Sequence, residues 1–277
     1  MDRSPPTLGV MGSNTHNTQF HGKARAYAAA RPGYPAEALN YVDALIRGID
    51  PAPQSKTPAV ADIGAGTGKF TVPLAELGTP DGLSVFAVEP DPDMRGELLA
   101  RTAQLPNVTV LDGTASHTGL PGRSVDAITV AQALHWFSPA DFSSECRRIA
   151  RGGRYLLISL YNVTSFDSAL KNAEPTSAKP TDAKPVERKL SGSIQHFRET
   201  TAAFFRHPVV REFPNPIRYT RDTWRAYMDS HSHSPLPGSP EYPVHRAWVN
   251  AVFDERAIDG ILADDTVCMV ASELMPA

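Results

Sequence analysis

Between residues 59 and 160 short apolar runs alternate with stretches of helical spacing. Ala59 to Ile63 is a brief apolar run that ends at glycines, the pattern of a strand buried on both faces. Phe70 to Leu77 follows with helical spacing and stops at Gly78. Leu83 to Val88 predicts a second strand, and Met94 to Leu105 a helix closed by Pro106. Val108 to Leu111 and Val125 to Val130 are further strand-like runs, and Pro139 to Ala150 is helical in pattern. Gly152-Gly153 then turns the chain into a strand at Tyr155 to Leu160. Strands separated by helices predict βαβ units, hence an α/β fold with a parallel sheet covered on both faces. Past Tyr161 the order changes: Ile194 to Arg206, Thr220 to Asp229 and Val244 to Ala257 predict helices, and Thr266 to Glu273 a late strand. Helices inserted this late commonly cover a ligand cleft at the strand ends.

Composition adds boundaries. The 25 prolines among 277 residues are clustered. They divide the chain into a flexible N-terminal arm (1–19), a core (20–165), a low-complexity insertion (166–192) and a helical cap with closing strands of the same domain (193–277). The insertion carries the repeated Ala-Lys-Pro of Lys171 to Lys189, a solvated composition. Lys and Arg number 27 against 30 Asp and Glu, a net charge of −3 that disfavours a nucleic-acid partner. No apolar run approaches the roughly 18 residues of a membrane helix, and Met1 to Asn17 has no secretory hydrophobic segment. Cys146 and Cys268 are the only cysteines, too few for a disulfide framework or a thiolate metal site, and no His/Asp/Glu spacing suggests a metal. The expectation is a cytoplasmic enzyme without membrane attachment; a homo-oligomer stays open.

Asp62-Ile63-Gly64-Ala65-Gly66-Thr67-Gly68 joins the first strand to the first helix of this series. A dinucleotide fingerprint would place its third glycine at 69, where Lys69 stands. A P-loop would follow Gly68-Lys69 with Ser or Thr, and Phe70 stands there. With both phosphate motifs excluded, the loop offers bare backbone against which a ligand can lie. Glu89 ends the second strand 21 residues after Gly68, where a carboxylate can accept both hydroxyls of a ribose. Ribose recognition without phosphate recognition points to S-adenosylmethionine. The competing structural reading is a tight turn beside a solvated acid.

The stretch from Phe20 to Leu160 resembles the class I S-adenosylmethionine-dependent methyltransferases, in particular the small-molecule branch of trans-aconitate methyltransferase-like proteins. The resemblance is carried by Tyr27-Ala28-Ala29-Ala30-Arg31-Pro32-Gly33-Tyr34-Pro35, the glycine loop, Val88-Glu89-Pro90, Gly113-Thr114-Ala115 and Ala131-Gln132-Ala133-Leu134-His135-Trp136-Phe137. It implies a Rossmann-like doubly wound, mostly parallel seven-stranded sheet with helices on both faces and a late helical cap. It implies S-adenosylmethionine as cofactor and S-adenosylhomocysteine as its product. Gly64, Ala65, Gly66 and Gly68 would meet the methionyl part and ribose, with Asp62 fixing the loop. Glu89, followed by Pro90, would take the ribose hydroxyls. Met94, Gly113, Thr114 and Ala115 would surround the adenine, Gln132 would line the cleft near the sulfonium, and Tyr27 and Arg31 would close the methionyl end. Ser116 stands where relatives often carry an acid, Arg151-Gly152-Gly153 replaces a Lys-Pro-Gly-Gly turn, and the Lys171 to Lys189 insertion matches nothing in the family pattern.

Methyl transfer is an in-line displacement in which the protein chiefly aligns the reactants. The candidate catalytic residues are His135, as a general base, and Tyr27. Phe20, Trp136, Phe137, Tyr161, His231 and His233 are candidates for an aromatic enclosure around a fairly apolar acceptor. Structural readings compete: His135 as a residue that only orients its loop, Trp136 as a packing residue, His231 and His233 as loop histidines, and Arg218, Arg221 and Arg225 as a solvated helix start rather than an acidic-substrate site. The expected activity is methyl transfer to a small organic metabolite, plausibly of secondary metabolism. Carboxylate O-methylation and C-methylation of a prenyl or terpenoid alkene through a carbocation are both open. Alternatives of other classes are an NAD-dependent oxidoreductase, which Lys69 disfavours, and a non-catalytic binder of S-adenosylmethionine.

Overall fold

The computed structural model describes residues 22–49, 57–77, 82–164 and 191–277. The arm at 1–19, Phe20 and most of the 166–192 insertion lie outside them. A seven-stranded sheet carries the fold, in the order β3-β2-β1-β4-β5-β9-β6. Its members are β1 (Ala59–Ile63), β2 (Ser84–Val88), β3 (Val108–Leu111), β4 (Ala127–Ala131), β5 (Arg154–Val163), β6 (Val209–Pro214) and β9 (Val267–Pro276). β1 to β5 run parallel, while β9 is antiparallel to both β5 and β6. This is the doubly wound, mostly parallel sheet expected. β6 has no counterpart in the sequence reading, because its largely exposed residues at the sheet edge show no core pattern.

Helices cover both faces: α1 (Ala24–Ala30), α2 (Ala36–Arg47), α3 (Thr71–Leu77), α4 (Pro92–Thr102), α5 (Pro139–Ile149) and α6 (Ser191–Phe204). One core layer joins Ala61 and Ile63 of β1 to Phe142, Cys146 and Ile149 of α5 and Phe197 of α6. The opposite layer joins Val60 to Ala38, Val42 and Ile46 of α2 and Leu74 of α3. β1 thus alternates sides within a fully buried run, which explains its continuous hydrophobicity. α4 begins two residues before Met94, because Asp91 caps it by accepting from Asp93 N and Met94 N at 2.9 Å and Pro92 fits the first turn.

A smaller layer follows the sheet. β7 (Ile217–Tyr219) pairs with β8 (Leu262–Asp264), and α7 (Arg221–Asp229) packs on α8 (Tyr242–Arg256). Their core contains Tyr219, Trp224, Tyr227, Met228, Val249, Val252, Phe253 and Leu262. Arg225 bonds Asn250 Oδ1 at 2.8 Å, Arg221 pairs with Asp254, and Asp229 holds Tyr242, His245 and Arg246 of α8. Arg221 and Arg225 therefore brace the cap. Among the described residues no helix is long and apolar enough to cross a membrane, and no group of three His, Cys, Asp or Glu could hold a metal ion.

Candidate functional site

The strand order reverses beside β1: β2 and β3 lie on one side, β4 and β5 on the other. A crevice forms at such a switch point, outside the carboxyl ends of the strands. Ile63 pairs with Val88, so the chain leaves β1 and β2 side by side, and Gly64 N and Ala65 N both donate to Val88 O. This register brings Glu89 against the glycine loop. Its Oε2 accepts from Gly66 N at 2.7 Å and its Oε1 from Asp91 N at 2.9 Å. Arg95 of α4 fixes the turn by donating to Glu89 O and Pro90 O while reaching Asp112.

The crevice, of about 150 Å³, is lined by Gly64, Gly66, Glu89, Pro90, Asp91 and Met94 on one side. Ala115, Ala131, Gln132, Ala133, Phe137, Trp136 and Tyr27 form the rest. Gly66 has φ +58°, and a Cβ added there would meet no protein atom within 4 Å. The other glycines serve the walls: a Cβ on Gly64 would lie 2.6 Å from Ala133 Cβ, and one on Gly68 2.8 Å from Leu98 Cδ1. Gly113 faces backbone, at 2.5 Å from Thr118 O. Ala65 packs with Ala87 and Leu98. Asp62 is buried behind the loop, accepting from Thr71 Oγ1 at 2.6 Å and Thr129 Oγ1 at 3.2 Å. Thr114 is exposed, its hydroxyl 3.2 Å from Ser116 Oγ, so its side chain does not enter the crevice.

A larger cavity of about 370 Å³ adjoins, sharing Tyr27, Gln132 and Trp136 with the crevice. His135, Tyr161, His231 and His233, the acceptor-pocket candidates, line it, and so does Arg31, which was expected at the methionyl end of the cofactor. Phe137 does not; it lies over Gly64, with Cζ 3.2 Å from where a Cβ would stand. The lining also includes Lys69, Tyr34, Asn162, Thr164, Ser193 and His196, which the sequence reading did not assign to an acceptor pocket. Tyr34 sits in the quoted Arg31-Pro32-Gly33-Tyr34 run, whereas His196 and Ser193 arrive on α6 with no local signal. The wall is therefore less apolar than an aromatic enclosure.

Gln132 ends β4 with φ +58°, a left-handed conformation that non-glycine residues rarely hold, while its N–H donates to Leu160 O at 2.9 Å. Arg31 stacks between the Tyr27 and Tyr227 rings, its Cζ 5.2 Å from each centroid, and its buried Nε has no hydrogen-bond partner among the described residues. The buried ammonium of Lys23 ties α1 to the cap loop through the carbonyls of His231 (2.9 Å), Ser232 (3.1 Å) and Ser234. Asn162 and Asn215 both donate to Gly33 O and so anchor the segment after α1.

Protonation follows from burial. The ring of His135, among those of Trp136 (4.8 Å), His196 (5.2 Å) and Tyr161 (6.1 Å), is lowered to about 4 by desolvation and then by His196, although the residue as a whole is exposed. His231, whose Nδ1 faces the carbonyls of Tyr227 and Met228, is lowered to about 3 by burial, then by Arg31 and His233. Burial raises the Tyr27 phenol, more than Arg31 lowers it. At neutral pH the His135 and His231 imidazoles are thus uncharged and the Tyr27 phenol un-ionised.

Burial also pushes Glu89 up to about 7, against the opposing N–H bonds from Asp91 and Gly66, and Asp62 up to about 6, against Thr71 and Thr129. A carboxyl that holds its proton longer in the fold than in the unfolded chain stabilises the fold at low pH, and that contribution is lost as pH rises through the folded value. The contribution of Glu89 and Asp62 is therefore expected to decline as pH rises from about 4.5 to about 7, while His135 and His231, lowered in the fold, add stability as pH rises to about 6.5 and oppose it. Glu89→Gln should flatten the part of that decline above about pH 6. Thermal midpoints across this range check it; parallel slopes for parent and variant would show that Glu89 ionises normally.

Comparison with known proteins agrees with this geometry. Residues 61–158 match the methyltransferase domain family. The chain is 41% identical over 140 residues to an uncharacterized methyltransferase of Mycobacterium tuberculosis, covering 50% of this chain and 51% of that one. It is 32% identical over 125 residues to an uncharacterized methyltransferase-like protein of Schizosaccharomyces pombe, covering 45% of this chain and 44% of the relative. The chain thus spans about half the length of these relatives. A solved chain from Anaeromyxobacter dehalogenans, provisionally assigned as a type II methyltransferase, superimposes with a TM-score of 0.53 at 19% identity, covering 90% of this chain and 98% of that one. At that identity the likeness concerns the fold.

Proposed function

We propose that the chain, whose residues 61–158 match the methyltransferase domain family, transfers a methyl group from S-adenosylmethionine to a small organic acceptor held in the larger cavity. The observation that carries this reading is the meeting of two compartments at Tyr27, Gln132 and Trp136. The crevice residues fit an adenosine sulfonium. Gly66 leaves open space where a side chain would stand, Glu89 faces that space, and the partnerless Arg31 Nε suits a carboxylate. Bound there, the cofactor supplies an electrophilic methyl group.

The chain's own contribution is positional. Glu89 offers a carboxylate to ribose hydroxyls, Met94 and Ala115 wall the adenine end, and Tyr27 and Arg31 close the methionyl end. Gln132 lines the shared junction at the cost of a strained backbone, about 1 kcal/mol or more. His135 accepts a hydrogen bond at neutral pH, but at about 4 it is a weak base for an alcohol. Tyr27, held as a phenol, serves as a donor rather than a base. Both fit an acceptor atom that is already nucleophilic. The polar lining weakens alkene C-methylation, which would favour aromatic faces around a cation.

Calorimetric titration with S-adenosylhomocysteine and with NAD tests the reading: one saturable site for the first and none for the second is expected. The reverse would favour an oxidoreductase, and binding of S-adenosylhomocysteine without methyl transfer to any acceptor would favour a non-catalytic binder. Glu89→Ala is expected to weaken S-adenosylhomocysteine by about 1–3 kcal/mol, the range for removing a hydrogen-bonding charged partner. An unchanged dissociation constant would place the ribose elsewhere.

A further inference from the structure

We propose that Lys69 anchors an acidic group, a carboxylate or a phosphate, carried by the acceptor in the larger cavity. The proposal rests on the methyltransferase reading and names the acceptor's charge. Lys69 directly follows Gly68, whose φ of +78° and contact with Leu98 fix where the loop ends and α3 begins. That turn places Lys69 in the cavity wall, where the residue is only partly exposed.

The charges around it are one-sided. Among the described residues the charged side chains lining this cavity are Arg31 and Lys69, and no Asp or Glu joins them. Lys69 has no hydrogen-bond or ion-pair partner among the described residues, and the charge acting on it is the like one of Arg101, itself donating to Thr67 O. Burial and Arg101 together lower its pKa. A desolvated cation without a counter-charge costs stability, and an anion entering the cavity offsets that cost. His135 and His231, held neutral, add hydrogen-bonding capacity without further charge.

Arg31 and Lys69 also divide the work. Arg31 is stacked between Tyr27, which borders the crevice, and Tyr227, and so belongs with the donor's carboxylate. Neither cation itself borders the crevice, and Arg31 reaches it only through the Tyr27 ring. Two cations therefore face two anionic ligands, one on each reactant.

The test uses the full chain saturated with S-adenosylhomocysteine and titrated calorimetrically with inorganic phosphate, acetate, succinate and dimethyl succinate. The expected result is saturable binding of phosphate or of a carboxylate but not of the neutral ester, and which anion binds identifies the group. Lys69→Met should weaken the anion by about tenfold or more, and Lys69→Arg should retain most of the affinity. Both variants should keep the parent's affinity for S-adenosylhomocysteine. Equal binding of the neutral ester, no binding of any anion, or a loss of S-adenosylhomocysteine affinity in Lys69→Met would each overturn the proposal, the last by assigning Lys69 to the donor. Should the parent fail to bind S-adenosylhomocysteine, the methyltransferase reading falls on that result alone. The same anion titrations on the ligand-free chain then decide whether Lys69 binds anions.

Discussion

Gly66→Val is expected to abolish S-adenosylhomocysteine binding while leaving a folded protein. A Cβ at this position meets no protein atom within 4 Å, so the valine methyl groups enter the crevice and not a wall. At about 150 Å³ the crevice has little room to yield. The fold bears a smaller penalty: a side chain at φ +58° costs about 1–2 kcal/mol, or a few degrees of melting temperature. Circular dichroism and a thermal scan would report a nearly native chain, and calorimetry no heat of binding at concentrations that saturate the parent. Retained affinity would remove the glycine loop from the cofactor site. Gly113 makes the contrast, since a Cβ there would stand 2.5 Å from Thr118 O and strain the fold itself.

Trp224→Ala should cost about 3–5 kcal/mol, the range for emptying a large aromatic site, and lower the thermal midpoint by about 10 °C. Trp224 has 0% exposure, packs against Tyr219 and Tyr227, and donates from Nε1 to Val249 O at 3.0 Å. It is the largest fully buried side chain of the cap core, and Tyr227 beside it lines the larger cavity. No cap residue lines the crevice, so S-adenosylhomocysteine affinity well below the new midpoint should change little. Thermal unfolding monitored by tryptophan fluorescence, with calorimetry at low temperature, separates these effects. An unchanged midpoint with no earlier transition would show that the cap core is not packed as described.

The parts of the fold visible in the sequence were those whose burial repeats along the chain. β1, β2 and β4 are buried on both faces and read as continuous apolar runs. β6, an edge strand with exposed Val209 and Val210, has no such signature. α2 carried a pattern that the reading passed over, Ala38, Val42 and Ile46 spaced four apart. The crevice was legible because its floor is one contiguous loop and its acid ends the adjacent strand. The larger cavity was not, because Asn162, Ser193 and His196 come from separate elements that only packing brings together. Lys69 entered the sequence argument only as evidence against two phosphate motifs, and its place on the cavity wall depends on the turn at Gly68. The strained backbone at Gln132 leaves no trace in residue type.

The party wall of Tyr27, Gln132 and Trp136 limits how the molecule could be retuned. With donor and acceptor placed as proposed, any exchange there would alter the affinity for both at once, so new acceptor preferences would be reached more readily from the far side. Ser193 and His196 on α6, and His233 on the cap loop, touch only the larger chamber. Diversification confined to those positions would change the guest without disturbing the donor.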